Sequence, residues 1–200
     1  MAKVLFPIEL NKHNVYLRDD LINKFKQYVD LPKSRILELG IGNGRFGFLL
    51  GSYVAKYYGI DIDEEYVKIA KTNIPKGANI VYKVGSAENI PFDEKFDIVF
   101  YAQSWHFIKD FDRALKEATR VLKTKGIVAI LEPSQNSSGW ADPRLNKDSP
   151  EFNENLFKKK MADLKKGRDA ILKQKLFDII EDETLETKQQ FYVLKIKVSK

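Results

Sequence analysis

Two hundred residues hold one domain with a substantial core, and not two independent ones. The chain is 44% hydrophobic and 12% aromatic and has no cysteine, which excludes a disordered chain, disulfides, thiolate metal sites and cysteine nucleophiles. No run approaches the ~18–20 apolar residues of a membrane helix and no secretory apolar segment opens the chain, so it reads as cytoplasmic, and its net charge of +6 admits anionic partners or simply a solubilising lysine surface.

No internal repeat appears, so the organisation must come from alternating elements. Residues 19–30 place Leu21, Ile22, Phe25, Tyr28 and Val29 at helical spacing behind Asp19 and Asp20 as caps, and Pro32 closes the helix. Ile36–Leu39 reads as a buried strand running into glycines, 46–52 as a helix, and 54–60 as a second strand ending at Asp61. A helix over 63–73 and a strand over 80–84 follow. Next come a strand over 96–102, a helix over 112–122 and a strand over 126–131.

After Pro133 the pattern changes. Residues 134–150 are rich in Ser, Asn, Gly and Pro and predict a loop, 151–175 a helix, and 176–187 and 190–198 two strands. The alternation Tyr192-Val193-Leu194-Lys195-Ile196-Lys197-Val198 supports the last, and the pair is most simply an antiparallel edge hairpin. The whole predicts an α/β fold: a doubly wound, mostly parallel seven-stranded sheet with helices on both faces and a C-terminal antiparallel edge hairpin. Right-handed crossovers then gather the strand C-termini along one edge, where ligands bind.

Between the first strand and helix lies Gly40-Ile41-Gly42-Asn43-Gly44-Arg45-Phe46-Gly47. Glycines there allow a sharp turn, and the helix beyond offers free N–H donors. Gly42-Asn43-Gly44-Arg45-Phe46-Gly47 also satisfies the dinucleotide pattern G-x-G-x-x-G. In that register Glu38 would crowd a pyrophosphate, whereas it would attract a ligand carrying an ammonium and a sulfonium.

The match runs well past the loop. Glu38-Leu39-Gly40-Ile41-Gly42-Asn43-Gly44 resembles the first motif of class I S-adenosylmethionine-dependent methyltransferases, an acidic residue followed by x-G-x-G-x-G. Tyr58-Gly59-Ile60-Asp61-Ile62-Asp63 resembles their second-strand motif, and Gly85-Ser86-Ala87-Glu88-Asn89-Ile90-Pro91-Phe92 their adenine-side segment. Phe96–Phe100 with Gln103-Ser104-Trp105-His106, and then Arg113–Gly126, complete the series in the family's order over residues 35–132, in the flavour called type-11 or UbiE-like.

The resemblance implies S-adenosylmethionine as cofactor, with Glu38, Gly40, Gly42, Gly44, Asp61, Ile62, Ser86, Ala87, Glu88 and Tyr101 around it. Asp61 would hold the ribose diol. Ser86 departs from the family's frequent Asp, so adenine would lean on Ala87, Glu88 and the apolar faces of Ile62 and Ile90. It also implies one domain over 1–200: an N-terminal helical segment 1–34, a cofactor-binding core 35–133, a substrate-cap insertion 134–175 and a terminal strand pair 176–200.

Methyl transfer from a sulfonium needs positioning and water exclusion, and a general base only where the acceptor must lose a proton. His106 and Gln103, after the fourth strand, are the candidate catalytic pair. His106 reads either as a base or orienting group, or as a histidine packed against its neighbours. His13 reads as part of a mobile N-terminal segment, and two isolated histidines suggest no metal site. Tyr16, Arg18 or Arg45 can meet the cofactor carboxylate, or lie on the surface. Asp63 and Glu64 read as helix N-terminal charges and Asp97 as structural.

Trp140 and Phe152 can line an acceptor pocket, while Lys158, Lys159, Lys160, Lys165, Lys166 and Arg168 form a basic run that fits RNA, an acidic protein, an anionic metabolite or a solvated face. A small-molecule acceptor is the leading expectation. An RNA or protein acceptor is the second, and a non-catalytic binding module or NAD-dependent oxidoreductase the third. The oligomeric state stays open.

Overall fold

The computed structural model describes residues 8–133 and 143–197. In chain order the elements are α1 (Lys12–Phe25), β1 (Arg35–Leu39), α2 (Arg45–Leu50), β2 (Lys56–Asp61), α3 (Glu64–Thr72), β3 (Ile80–Val84), β4 (Phe96–Ala102), α4 (Phe111–Val121), β5 (Leu122–Pro133), α5 (Glu154–Lys173), β6 (Phe177–Thr184) and β7 (Gln189–Ile196). The seven strands form one sheet in the order β3-β2-β1-β4-β5-β7-β6. β1 to β5 run parallel, and β7 lies antiparallel between β5 and β6.

Successive strand residues point to opposite faces, which divides the apolar side chains into two cores. Ile36, Ile98, Phe100, Ala129 and Leu131 meet Leu17, Leu21 and Phe25 of α1, Phe46 and Leu49 of α2, and Val67 and Ala70 of α3. Leu37, Leu39, Val99, Tyr101, Val128 and Ile130 meet Ala114, Leu115, Ala118 and Val121 of α4 and Ile171 of α5. Burial on both faces is why the central strands read as near-continuous apolar runs.

The first helix and β5 depart most from the sequence reading. The first helix spans Lys12–Phe25, capped by the Asn11 side chain, which accepts from the Asn14 amide. The apolar stripe extends back through Leu17, so Asp19 and Asp20 sit inside the helix and do not cap it. β5 begins at Leu122, where the expected helix would have ended, because Leu122 pairs with Phe96 across a register shift before Ile98 pairs with Ile127. Trp140 and residues 134–142 of the expected cap lie outside the described residues.

Candidate active site

The carboxyl ends of β1, β2, β4 and β5 share one edge of the sheet. At β1 the chain leaves through Gly40 and Gly44, both at φ +83°, a conformation that costs an L side chain dearly. A Cβ on Gly40 would come 2.6 Å from the Cβ of Ser104, so this position also needs glycine for the loop after β1 to lie against the turn after β4. The Ser104 hydroxyl seals that contact by donating to the Leu39 carbonyl.

Asp61, at the end of β2, ties the loop to its neighbour. One carboxylate oxygen accepts the Gly42 N–H at 3.0 Å and the other the Asp63 N–H at 3.0 Å. A carboxylate has about four lone-pair sites, so two remain for a ligand. Ile62, next to it, is 76% exposed, an apolar surface held in water beside a polar anchor. Asp63 caps α3 by accepting the Glu65 N–H, as the helix-terminal reading expects.

Glu38 is fully buried. Strand alternation turns it to the α1–α2 face, where Oε2 accepts the Tyr57 hydroxyl at 3.0 Å. Among the described residues its Oε1 has no hydrogen-bond partner, and neither have Nε and Nη2 of Arg45 at the start of α2, though all three atoms are buried. Burial pushes the Glu38 carboxyl well above the usual carboxylate range; the Tyr57 hydroxyl opposes this, Asp61 adds to it and Arg45 opposes it. Burial likewise lowers the Arg45 guanidinium, against the attraction of Glu38. Buried polar atoms left unsatisfied are costly, and here they come as an acceptor and a donor set of opposite charge.

Residues from α1 reach this region differently from the sequence expectation. His13 lies in the first turn of α1, with its pKa lowered by desolvation and by nearby Arg45. Arg18 instead pairs with Asp19 at 2.8 Å, and Tyr16 is exposed.

Ser86, Ala87 and Glu88 form the turn after β3. The Ser86 hydroxyl accepts the Glu88 N–H at 3.1 Å, and Ala87 packs half-buried against the α4-side core. Glu88 Oε1 accepts the Lys109 and Asp110 amides at 3.0 and 3.2 Å, fixing the approach to α4. Tyr101 does not join these residues at the edge. It is fully buried on the α4 face, with its hydroxyl donating to the Ala114 carbonyl and its ring against Trp105.

Gln103 leaves β4 at φ 58°, with its N–H bonded to the Leu131 carbonyl at 2.7 Å. A non-glycine residue held there stores local strain at the ligand edge. His106 lies in the turn Trp105–Phe107 and is buried. Its Nδ1 meets the Glu132 carboxylate at the end of β5, and its Nε2 meets the Lys160 ammonium from α5. An ammonium only donates, so Nε2 accepts and Nδ1 carries the proton given to Glu132. Both ring nitrogens are engaged by side chains of the chain itself, as the reading of a histidine packed against its neighbours expects.

Glu132 and the inward turn of Lys160 were missed from sequence. The available signal was a lone acid closing the apolar run Ile127–Leu131, the same pattern that marks Glu38 on β1. α5 is further tied down at Gly167, whose carbonyl accepts the Trp105 indole N–H at 2.9 Å and whose missing Cβ leaves room for the ring. The basic run therefore has no single face: Lys158 pairs with Glu154 at 2.8 Å, Lys160 turns to His106, and Arg168 approaches Asp182 at 3.8 Å. Asp97 binds the Arg35 amide and Lys123, a structural role. No helix of the described residues is long and apolar enough to cross a membrane.

Comparison with known proteins fits this geometry. Residues 37–130 match the family model of a methyltransferase domain, type 11. A phthiotriol/phenolphthiotriol dimycocerosates methyltransferase of Mycobacterium leprae is 31% identical over 176 residues, covering 82% of this chain and 64% of that protein. A ubiquinone biosynthesis O-methyltransferase of Pelagibacter ubique is 30% identical over 119 residues, covering 58% of this chain and 50% of that protein. The chain thus spans less than two thirds of either relative. A crystal structure of an S-adenosylmethionine-dependent methyltransferase from Aquifex aeolicus superposes with a TM-score of 0.68 at 19% identity, covering 95% of each chain, which establishes the shared fold.

Proposed function

We infer the activity of this chain from its family, since over residues 37–130 it belongs to the type-11 S-adenosylmethionine-dependent methyltransferases. The activity is transfer of a methyl group to a small-molecule acceptor. The observation that carries it is the set of buried atoms Glu38 Oε1 and Arg45 Nε and Nη2, which have no hydrogen-bond partner among the described residues. Its opposite charges suit the ammonium and carboxylate at the amino-acid end of S-adenosylmethionine. Asp61 keeps lone pairs for a ribose diol, and exposed Ile62 offers a face for adenine.

S-adenosylmethionine held there would supply an activated methyl carbon to the acceptor's electron pair, with the bonding pair of the broken carbon–sulfur bond leaving on sulfur. The chain's own part is to fix geometry and exclude water. Gly40 against Ser104 brings the cofactor loop to the turn that carries Gln103 and His106. Glu132 and Lys160 hold the His106 imidazole in one tautomer. The names of the two relatives support a small or lipidic acceptor. The buried acid of Glu38 also disfavours a pyrophosphate, which argues against NAD.

Thermal-shift titration tests the reading: S-adenosylhomocysteine at 100 times its Kd should stabilise the protein by about 2.7 kcal/mol, and NAD should not. Stabilisation by NAD alone would end it. Labelled methyl transfer to metabolite, RNA and protein pools then reads the acceptor, and a salt-sensitive signal on RNA would displace the small molecule.

A pH dependence follows from Glu38. In the unfolded chain it ionises near pH ~4, whereas burial holds the folded group protonated to higher pH. As pH rises from the ordinary carboxylate range towards the folded value, the unfolded state loses the proton first, so this residue's contribution to stability falls. A ligand ammonium seated on Glu38 favours the carboxylate. Binding of S-adenosylhomocysteine should therefore tighten with rising pH across that window and release a proton within it. Calorimetry in two buffers of different ionisation enthalpy measures this. Glu38→Gln should flatten the profile; an unchanged slope would remove Glu38 from the site.

A further inference from the structure

Between the turn Trp105–Phe107, the end of β5, α5 and the β6–β7 pair lies a cavity of about 150 Å³. Trp105, Leu164 and Ile171 give it an apolar wall, and Arg168, Thr184 and Gln190 a polar rim. His106 and Glu132 also face it. Water occupies roughly 30 Å³ per molecule, so the space equals about five waters, or one substituted six-membered ring. It is smaller than the ~300–1,000 Å³ of pockets for drug-sized ligands.

Its charges are unequally satisfied. Glu132, the acid on the wall, is engaged by the ring and the backbone N–H of His106 and already has its partners. Gln190 Nε2 donates to Asp182 at 2.6 Å, and the Thr184 hydroxyl donates to Gln190 at 3.1 Å. Arg168 has a looser engagement, a 3.8 Å approach to that same Asp182 carboxylate. A guanidinium on the rim of an apolar chamber suits a planar anion, which it can hold through two parallel N–H donors. The cavity also opens at the ligand edge of the sheet, with His106 only two residues beyond the Ser104 that touches Gly40.

We propose that this cavity holds the methyl acceptor and selects a small ring compound bearing a carboxylate, the ring against Trp105, Leu164 and Ile171 and the carboxylate on Arg168. The proposal rests on the methyltransferase reading and narrows its acceptor. The ring gains from burial and from the edge of the indole, and the carboxylate from the paired N–H donors of the guanidinium.

Three probes of similar size test it by calorimetry on the full chain, with and without saturating S-adenosylhomocysteine: benzoate, phenol and benzylamine. Benzoate should bind at least ten-fold more tightly than benzylamine. Arg168→Gln should weaken benzoate at least ten-fold, leave phenol within two-fold, and leave the affinity for S-adenosylhomocysteine unchanged. Leu164→Phe, which fills the chamber, should weaken both benzoate and phenol; if it does not fold, exposed Arg168 still decides the question. Preference for benzylamine, indifference of benzoate to Arg168→Gln, or binding of no probe would overturn the proposal. Failure of S-adenosylhomocysteine itself to bind would sink the cofactor reading instead, and benzoate binding to the unliganded chain would then judge the cavity by itself.

Discussion

Asp61→Ala should weaken S-adenosylhomocysteine binding by about 100-fold or more, measured by calorimetry at one pH and salt. Hydrogen bonds to a charged acceptor are worth ~1.5–3 kcal/mol each, and this carboxylate would lose two ribose contacts together. It would also lose its hold on the Gly42 and Asp63 amides, which sets the loop after β1 against the turn after β2. Asp61→Asn keeps the shape of the side chain and one carbonyl acceptor, but turns an amide nitrogen towards the Gly42 or the Asp63 N–H. Its loss of affinity should be intermediate, with a melting temperature for the free protein lowered less than in the alanine variant. Wild-type affinity in the alanine variant would mean that the ligand does not touch the end of β2.

The largest stability effect should come from Trp105→Ala. The indole is fully buried, its ring lies 4.8 Å from both Tyr101 and Phe111, and its N–H satisfies the Gly167 carbonyl. Truncating such a residue removes ~3–5 kcal/mol through lost transfer energy and an uncollapsed cavity. Against a typical domain stability of ~5–15 kcal/mol, that loss should shift the urea midpoint substantially without changing the slope. Trp105→Phe should recover part of it while leaving the Gly167 carbonyl without its donor. A loss under ~1 kcal/mol for the alanine variant would mean that α5 is not seated on this turn.

Periodicity made the fold readable because it acts locally. Strands over 80–84 and 96–102 fall where the alternation and the flanking glycines and prolines put them, and the sheet with its antiparallel terminal pair follows from the element order. The glycine loop was legible for the same reason: three glycines at positive φ within five residues are a backbone requirement written directly in the chain. Side-chain direction was harder to read. β1 and β4 are in register at Glu38 and Phe100, so Tyr101 points to the opposite face from Glu38, and counting parity along β4 would have withdrawn it from the cofactor.

What the sequence hid was pairing at a distance. His106 meets Glu132 across 26 residues and Lys160 across 54, and no local pattern announces either contact. The capping reading of Asp19 and Asp20 erred differently. It followed a local preference where the buried stripe through Leu17 and Leu21, a tertiary demand, extended the helix.

The placement of β7 bears on how the chain is made. β5 is buried without a break from Gly126 to Glu132, and its outer edge is covered by residues 189–196. Roughly 60 residues separate the end of β5 from the end of β7, which at ~5–20 residues per second is several seconds of synthesis. Throughout that interval on the ribosome, an apolar strand next to four paired ones presents an open row of amides and carbonyls. Chaperone occupancy of ribosome-bound chains should therefore peak between the emergence of residue 133 and that of residue 196, and fall once the last hairpin closes the sheet.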